Sequence, residues 1–182
     1  RLALNKKGTR LILQNNDNIK TITEYKIINK AYIRLIRGAG VEIGHFFLTP
    51  IPKGVPVVVL PARLLVDKGV LEFVSVARRV KNIGLKARFV LVGDIDLHNP
   101  AAVSRAQIDG WIREGVVEHW GRCENMMSVY SQATVICLPS HHEGLPKALL
   151  EASSCGRPTV AFDVPGCREV VRHRVNGLLL KF

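Results

Sequence analysis

The chain has 182 residues, 47% of them apolar and 6% aromatic, which is enough for one α/β domain with an aliphatic core and part of another unit. Its net charge of +11 suits an anionic partner, such as a phosphate-bearing ligand, an anionic membrane surface or nucleic acid. The basic residues are scattered without interleaved aromatic residues, which disfavours nucleic acid, and no apolar run is long enough to cross a bilayer.

The cysteines and the first residues bear on the cellular compartment. The four cysteines fall at wide intervals without a paired CxxC spacing, so we expect no disulfide, no zinc site and a reducing cytosol. The chain starts at Arg1 and lacks the charged-then-apolar form of a signal peptide. We therefore expect a piece of a longer, cytoplasmic protein.

The first 48 residues fit a small α/β unit. "TRLILQNN" predicts a strand, residues 18–30 predict a helix, and "AYIRLIRGAGVEIGHF" predicts a strand that runs into a glycine-rich turn. "LTPIPKGVP" is proline-rich and is typical of a linker. We expect residues 1–48 to be the C-terminal remnant of a preceding domain plus linker, and residues 49–182 to form the main domain.

From residue 55 onward, short apolar runs alternate with segments of helical periodicity. The predicted strands are "VPVVVLPA", "ARFVLVG", "VVEHWG", "TVICLPS", "PTVAFD" and "GLLL". The first helix between them is predicted to start at an N-cap Asp67 and to stop at Gly84. The further helices are predicted at 101–114, at 124–132, after Pro146 and at 166–173. This alternation predicts an α/β fold, a Rossmann-like parallel sheet with helices on both faces.

Ligands of open parallel sheets bind outside the carboxyl ends of the strands. Glycine, charged and turn residues follow the first five predicted strands: Arg63 and Lys68, Gly93 and Asp94, Gly121 and Arg122, Ser140 to Gly144, and Asp163 and Gly166. We therefore expect one edge of the sheet to carry the site.

A phosphate site is one interpretation of this edge. Gly144-Leu145-Pro146 leads into a helix whose first position suits Pro146, and the free amides and helix dipole there attract anions. Lys68 is predicted near a helix start, where a bound diphosphate would favour it, and Arg63 could add a planar fork. Lys68 or Arg63 alone also fits a solvated surface position. The interpretation as a phosphate site therefore depends on their shared location at one edge of the sheet.

Glu143 and Glu151 are separated by seven residues, which spans about 12 Å along a helix and matches the reach from a ribose across a diphosphate to a sugar. Each glutamate alone also fits an ordinary loop or exposed helix carboxylate. A metal site at 141–143 is disfavoured, because neighbouring side chains of an extended segment point to opposite sides and no second ligand cluster follows. A serine hydrolase is disfavoured because the G-x-S-x-G elbow is absent.

Three segments together resemble a known family. "ARLLVDKG", "FVLVGD" and "PSHHEGLPKALLEASSCGRPTVAFDVPGCREVVRHRVNGLLL" are similar to the nucleotide-sugar-binding, C-terminal half of retaining GT-B glycosyltransferases, nearest to family 4, the group 1 set. Glu143 and Glu151 match the family's Glu-x7-Glu motif, and Gly-Leu-Pro, Gly-Arg-Pro and Pro-Gly-x-x-Glu pieces occur in the family's order. The resemblance covers residue 50 to the end.

The resemblance implies a role for each matched residue. The implied catalytic set is Glu143 beside the donor-sugar hydroxyls, with Arg63 and Lys68 on the leaving diphosphate. The implied substrate-binding set is Glu151 on the ribose, Gly144, Leu145 and Pro146 on sugar and phosphate, and Gly121 and Arg122 near the base. The resemblance also implies retention by front-face attack, with no metal or other cofactor, because Arg, Lys and a helix end supply the positive field.

The resemblance implies transfer of a hexose or N-acetylhexosamine from a nucleotide sugar, expected to be UDP-linked, to a lipid-linked or oligosaccharide acceptor. It places the protein in cell-surface polysaccharide or lipopolysaccharide synthesis at the cytoplasmic side of the membrane. The positive charge suits peripheral contact with an anionic leaflet, and equally simple solubility. Nucleic acid is not an expected partner.

The sequence also departs from the family. The acceptor domain is nearly all absent, Glu42 stands in "RGAGVEIGHF" where Asp is commoner, and the family's closing helix would follow Phe182. We therefore expect this chain alone to bind a nucleotide weakly and to transfer nothing. Two alternatives stay open: a non-catalytic nucleotide- or sugar-binding module of GT-B type, and another GT-B enzyme such as a sugar-phosphate synthase or a phosphorylase.

Overall fold

The computed structural model describes residues 8–96 and 98–181. Strands β1 to β8 are Leu11–Leu13, Ile33–Leu35, Val57–Pro61, Arg88–Val92, Glu118–His119, Val135–Leu138, Thr159–Phe162 and Gly177–Leu180. Helices α1 to α6 are Asn16–Glu24, Val70–Asn82, Arg105–Arg113, Met126–Gln132, Lys147–Ser154 and Pro165–Arg168. Short 3-10 turns occupy Lys30–Tyr32 and Val66–Lys68.

The main sheet has six parallel strands in the order β5-β4-β3-β6-β7-β8. From the central pair β3 and β6, the chain winds outward through β4 and β5 on one side and through β7 and β8 on the other. In this doubly wound order a crevice opens at the carboxyl ends of the two central strands. The predicted Rossmann-like parallel sheet is confirmed.

Helices pack against both faces of this sheet, as predicted. Successive residues of β3 show the two faces, because Val59 belongs to one apolar cluster and Leu60 to the other, and both are 0% exposed. Helices α2 and α3 cover the Leu60 face, and α4, α5 and α6 cover the Val59 face. Helix α2 buries one apolar stripe against the sheet: Val70, Phe73, Val74 and Ala77.

The prediction that Asp67 caps α2 is wrong. Residues Val66–Lys68 form a 3-10 turn, Gly69 takes the N-cap position with φ 76°, and α2 begins at Val70. Only glycine fits there, because a Cβ at Gly69 would overlap the backbone carbonyl of Pro139 in the loop after β6. The loops after β3 and β6 are therefore packed backbone against backbone.

Residues 8–48 form a strand–helix–strand unit, as the sequence indicates. Strands β1 and β2 pair in parallel, with α1 between them. Helix α1 begins before the predicted residue 18, because the side chain of Asn15 caps it by accepting from the Asn18 amide at 2.8 Å. It ends well before the predicted residue 30, at the C-cap Tyr25, and Lys26 then takes a left-handed φ of 48°. Phe46, just before the predicted boundary, packs against Tyr130 in the main core. The domain assignment itself stays a prediction, and its residues 1–7, 97 and 182 lie outside the described residues.

Arg157 of the Gly-Arg-Pro motif joins the linker to the main domain. Its side chain is 2% exposed, and Nη2 donates to the carbonyl oxygens of Thr49 at 2.7 Å and Pro50 at 2.9 Å. Such bonds to a charged donor are stronger than neutral ones. This motif therefore has a structural role, fixing the start of the chain segment that leads into β3.

Candidate functional site

Two loops meet in the crevice at the carboxyl ends of β3 and β6. The amide of His141, in the loop after β6, donates to the carbonyl of Asp67, in the loop after β3, at 2.9 Å. The Ser140 hydroxyl lies 3.2 Å from the same carbonyl and 3.1 Å from the carbonyl of His142, and it can donate to either. These bonds hold the two loops together, so the side chains that follow β3 and β6 face one another. They lie at the reversal point of the sheet, which is the place between β3 and β6 where the strand order changes direction.

Lys68 and Glu143 form an ion pair in this crevice. Lys68 Nζ lies 2.8 Å from Glu143 Oε1, and the two side chains are only 18% and 13% exposed. A pair this sheltered is screened less by salt than one on the surface. The predicted convergence of these two residues is therefore present, and in the ligand-free site each neutralises the other.

Three consecutive amides lie beside this ion pair without an acceptor. The N–H groups of Glu143, Gly144 and Leu145 donate to no atom of the described residues. They are followed by α5, whose first turn adds further free amides and the positive end of the helix dipole. Successive free amides of this kind attract anions. Residues 143–146, which we term the corner, thus have the chemistry of a phosphate site.

The first turn of α6 packs against the backbone of the corner. Gly166 lies so close that a Cβ there would be 2.6 Å from the carbonyl oxygens of both Glu143 and Gly144. No side chain fits between α6 and the corner, which explains the glycine of the Pro-Gly-x-x-Glu motif. The carbonyls of the corner are thereby turned toward α6.

Glu151 is buried on α5 and has a partner at each oxygen. Tyr130 donates its hydroxyl to Oε2 at 2.8 Å, and Lys147 Nζ lies 3.3 Å from Oε1. Burial and the charge of Glu151 raise the pKa of the Tyr130 phenol well above its usual value, so the phenol stays protonated and donates. The Lys147 side chain is 70% exposed, whereas the Glu151 side chain is 8% exposed. The ribose-binding role of Glu151 stays a prediction.

Replacement of Tyr130 by phenylalanine is expected to lower the free energy of unfolding by about 2 kcal/mol, because a buried carboxylate oxygen loses its donor. Urea denaturation measures this change. Tyr25→Phe removes the same hydroxyl from a side chain that is 73% exposed and should cost almost nothing. Equal stability of the Tyr130 and Tyr25 variants would show that the bond to Glu151 contributes nothing.

Arg63 and Arg122 lie farther along the same edge and pair with acids of the loop after β4. Arg63 Nη1 is 3.0 Å from Asp96 Oδ2, and Arg122 Nη1 is 3.9 Å from Asp94 Oδ2. The arginine side chains are 61% and 71% exposed, so these ion pairs contribute little to stability and exchange readily for another anion. Their predicted roles toward diphosphate and base stay predictions.

Gly121 lines an open hollow at the carboxyl ends of β4 and β5. The hollow has a volume of about 540 Å³, and Asp94, His119 and Trp120 line it with Gly121. A volume of this order suits a small planar ring system. Gly121 therefore lines a depression in the surface, and the base-binding role of Gly121 and Arg122 stays a prediction.

Sequence reasoning missed two residues of this neighbourhood. Tyr130 lies on a helix whose apolar spacing indicates burial, but nothing in the spacing names Glu151 as its partner. Asn15, with its amide against the corner, lies in the first 48 residues, where no site was expected. The available signal was the polar run "QNN" directly after an apolar strand.

The described residues also bear on metal binding and on membrane crossing. Within residues 8–96 and 98–181, no group of three or more His, Cys, Asp or Glu side chains is arranged to hold a metal ion. In the same ranges, no helix combines the length and apolar character needed to cross a bilayer.

Solved structures that share this fold are GT-B glycosyltransferases. Anabaena HepE in complex with UDP matches 95% of this chain and 50% of its own chain, with a TM-score of 0.78 and 21% identity. The lipopolysaccharide outer core galactosyltransferase WaaB, in its apo form, matches 94% of this chain and 48% of its own, with a TM-score of 0.72 and 22% identity. These matches establish the Rossmann-like fold of the GT-B class.

Residues 55–181 match the family described as Glycosyl transferases group 1, and the chain belongs to this family. The N,N'-diacetylbacillosaminyl-diphospho-undecaprenol alpha-1,3-N-acetylgalactosaminyltransferase of Campylobacter jejuni is 36% identical over 126 residues, which are 69% of this chain and 31% of that protein. The alpha-D-kanosaminyltransferase of Streptomyces kanamyceticus is 27% identical over 128 residues, 69% of this chain and 32% of that protein. The chain thus spans about a third of these relatives. The predicted membership in the group 1 glycosyltransferases is confirmed.

Proposed function

We propose that this chain is the C-terminal, donor-binding part of a retaining glycosyltransferase that uses a nucleotide sugar, UDP-linked as in the HepE complexes. One observation carries the proposal: the Lys68–Glu143 ion pair lies at the sheet's reversal point beside three amides that donate to no atom of the described residues. The product would be a hexosyl or N-acetylhexosaminyl glycan on a lipid-linked or oligosaccharide acceptor. The relative from Campylobacter jejuni carries a diphospho-undecaprenol acceptor in its name.

The ion pair is proposed to separate when the donor binds. Lys68 Nζ would turn from Glu143 to the diphosphate, which the amides of the corner also hold. Glu143 Oε1 would then accept a hydroxyl of the donor sugar. Once the donor is bound, positive groups held in place around the diphosphate stabilise negative charge as it develops on the leaving group, without further reorganisation at the moment of reaction. Glu143 acts here as a positioning and electrostatic residue.

The transfer step is proposed to occur on one face of the sugar. The bond from C1 to the diphosphate oxygen breaks, the bond from C1 to the acceptor oxygen forms, and the acceptor's proton passes to the departing phosphate oxygen. The configuration at C1 is thereby retained. The anomeric configuration of the product of the full-length enzyme, read by NMR, tests this assignment, and an inverted product would refute it.

The protein is proposed to act at the cytoplasmic face of the membrane, in synthesis of a cell-surface polysaccharide or lipopolysaccharide. The net charge of +11 supports contact with an anionic leaflet. Co-sedimentation with vesicles of anionic and of neutral lipid tests that contact, and equal sedimentation with both would contradict it.

We propose that donor binding needs no metal, because Lys68, the free amides of the corner and the α5 dipole supply the positive field. Calorimetric titration of UDP is expected to give the same dissociation constant with EDTA as with added magnesium or manganese. A dissociation constant that falls tenfold or more on adding either metal would contradict the metal-independent site.

The same titration tests the proposed function. UDP is expected to bind at least tenfold more tightly than uridine, because the corner and Lys68 act on the phosphates. Glu151→Gln keeps the side-chain shape but removes the charge, and it should weaken both ligands through the ribose. Absence of UDP binding by the chain would overturn the proposed function, and unchanged binding by Glu151→Gln would remove the ribose assignment alone.

A further inference from the structure

Asn15, at the carboxyl end of β1, is tied directly to the corner. Its side chain is buried, with the residue 0% exposed, and Nδ2 donates to the Gly144 carbonyl at 2.8 Å. Its Oδ1 accepts from the Asn18 amide at 2.8 Å as the cap of α1. Both polar atoms of this side chain are therefore in use, one for its own helix and one for a loop 129 residues away in the sequence.

The bond to Gly144 determines where the next amide points. A peptide unit is planar and trans, so the carbonyl of Gly144 and the N–H of Leu145 point in opposite directions. With the carbonyl fixed between Asn15 and Gly166, the Leu145 N–H faces away from both of them. This N–H is one of the three amides without an acceptor among the described residues.

Neighbouring contacts fix Asn15 in its place. The Asn16 amide and side chain donate to Glu169 Oε1 at 3.1 and 3.3 Å, and Arg37 Nε donates to Glu169 Oε2 at 2.9 Å. These bonds lower the pKa of Glu169, the Asn16 amide first, so its carboxylate stays charged. Asp17 Oδ2 lies 2.6 Å from Arg168 Nη1. These contacts anchor the segment on α6, whereas Asn15 reaches the corner itself.

We propose that Asn15 is a positioning residue of the donor site, which orients the Gly144–Leu145 peptide so that the Leu145 amide meets the diphosphate. This inference rests on the proposed function. It assigns a role in donor binding to residues 8–48, which the sequence indicated to be a remnant of another unit. The binding loop and the residue that orients it are thus 129 residues apart in the sequence.

The test separates the two bonds of Asn15. Serine caps a helix about as well as asparagine, so Asn15→Ser keeps the bond from Asn18 and removes the donor to Gly144. Asn29→Ser is the matched control, because Asn29 also caps a turn, through the Ala31 amide, in the same unit. Two quantities are measured for each: the NMR order parameter of the Leu145 amide without ligand, and calorimetric affinities for UDP and uridine.

Asn15→Ser is expected to lower the order parameter of the Leu145 amide from about 0.85 to below about 0.7. Its UDP affinity should fall about five- to tenfold while uridine affinity is unchanged, because one hydrogen bond that orients the corner is lost. Asn29→Ser should match the parent in both. An unchanged order parameter, or equal losses for UDP and uridine, would overturn the positioning role. If the parent itself binds no UDP, the proposed function fails, and the order parameter alone decides whether Asn15 orients the corner.

Discussion

Lys68→Ala is expected to weaken UDP binding by about 10- to 100-fold, the range for loss of a charge-assisted bond in a sheltered site. Two effects act in the same direction. The diphosphate loses its cation, and Glu143, whose side chain is 13% exposed, is left unpaired and negative beside the phosphates. Calorimetry on the folded variant measures the loss.

Two further variants serve as the control for this result and as a test of its cause. Lys86→Ala removes the same charge from an exposed loop at the amino end of β4 and should leave UDP affinity unchanged. The double variant Lys68→Ala with Glu143→Gln removes the unpaired charge as well, and should recover part of the affinity. UDP binding by Lys68→Ala that equals that of Lys86→Ala would exclude Lys68 from the donor site.

Gly69→Ala is expected to lower the free energy of unfolding by about 3 kcal/mol or more. A left-handed residue with a Cβ costs about 1–2 kcal/mol, and forcing atoms into a packed region costs about 1–3 kcal/mol more. The added Cβ would overlap the Pro139 carbonyl, which is backbone and has no rotamer to escape into. The shift needed would also separate the loops after β3 and β6.

The control for this substitution is Gly84→Ala. Gly84 has φ 77°, almost the same as 76° at Gly69, but a Cβ there would meet nothing within 4 Å. Its variant should therefore lose only the cost of the left-handed conformation, about 1–2 kcal/mol. Urea denaturation of both variants isolates the contact with Pro139, and equal losses would show that the two loops are not tightly packed.

The fold follows from short-range patterns that the sequence displays directly. Apolar runs alternate with helical stretches from residue 55 onward, and parallel strands buried on both faces leave few other arrangements. The edge that carries the site follows from topology, because the carboxyl ends of parallel strands share one side. Lys68 and Glu143 were predicted at that edge, and the structure joins them at 2.8 Å.

Local sequence patterns do not predict long-range contacts. Asp67 has the residue type of a helix cap, but the close approach of Pro139 required a glycine at the helix start instead. Glu151 has the spacing of a ligand-binding carboxylate. Its buried partner Tyr130 is 21 residues away, so no local sequence pattern predicts their hydrogen bond. Asn15 and Gly144 become neighbours only because α1 docks on α6.

The most direct test of the donor site is a crystal structure of this chain with UDP bound. The diphosphate should lie at the reversal point of the sheet, within hydrogen-bonding distance of both Lys68 Nζ and the Leu145 amide, with the Lys68–Glu143 contact broken. A nucleotide bound elsewhere, or a diphosphate in the crevice beside an ion pair that still measures 2.8 Å, would contradict the proposed exchange of partners.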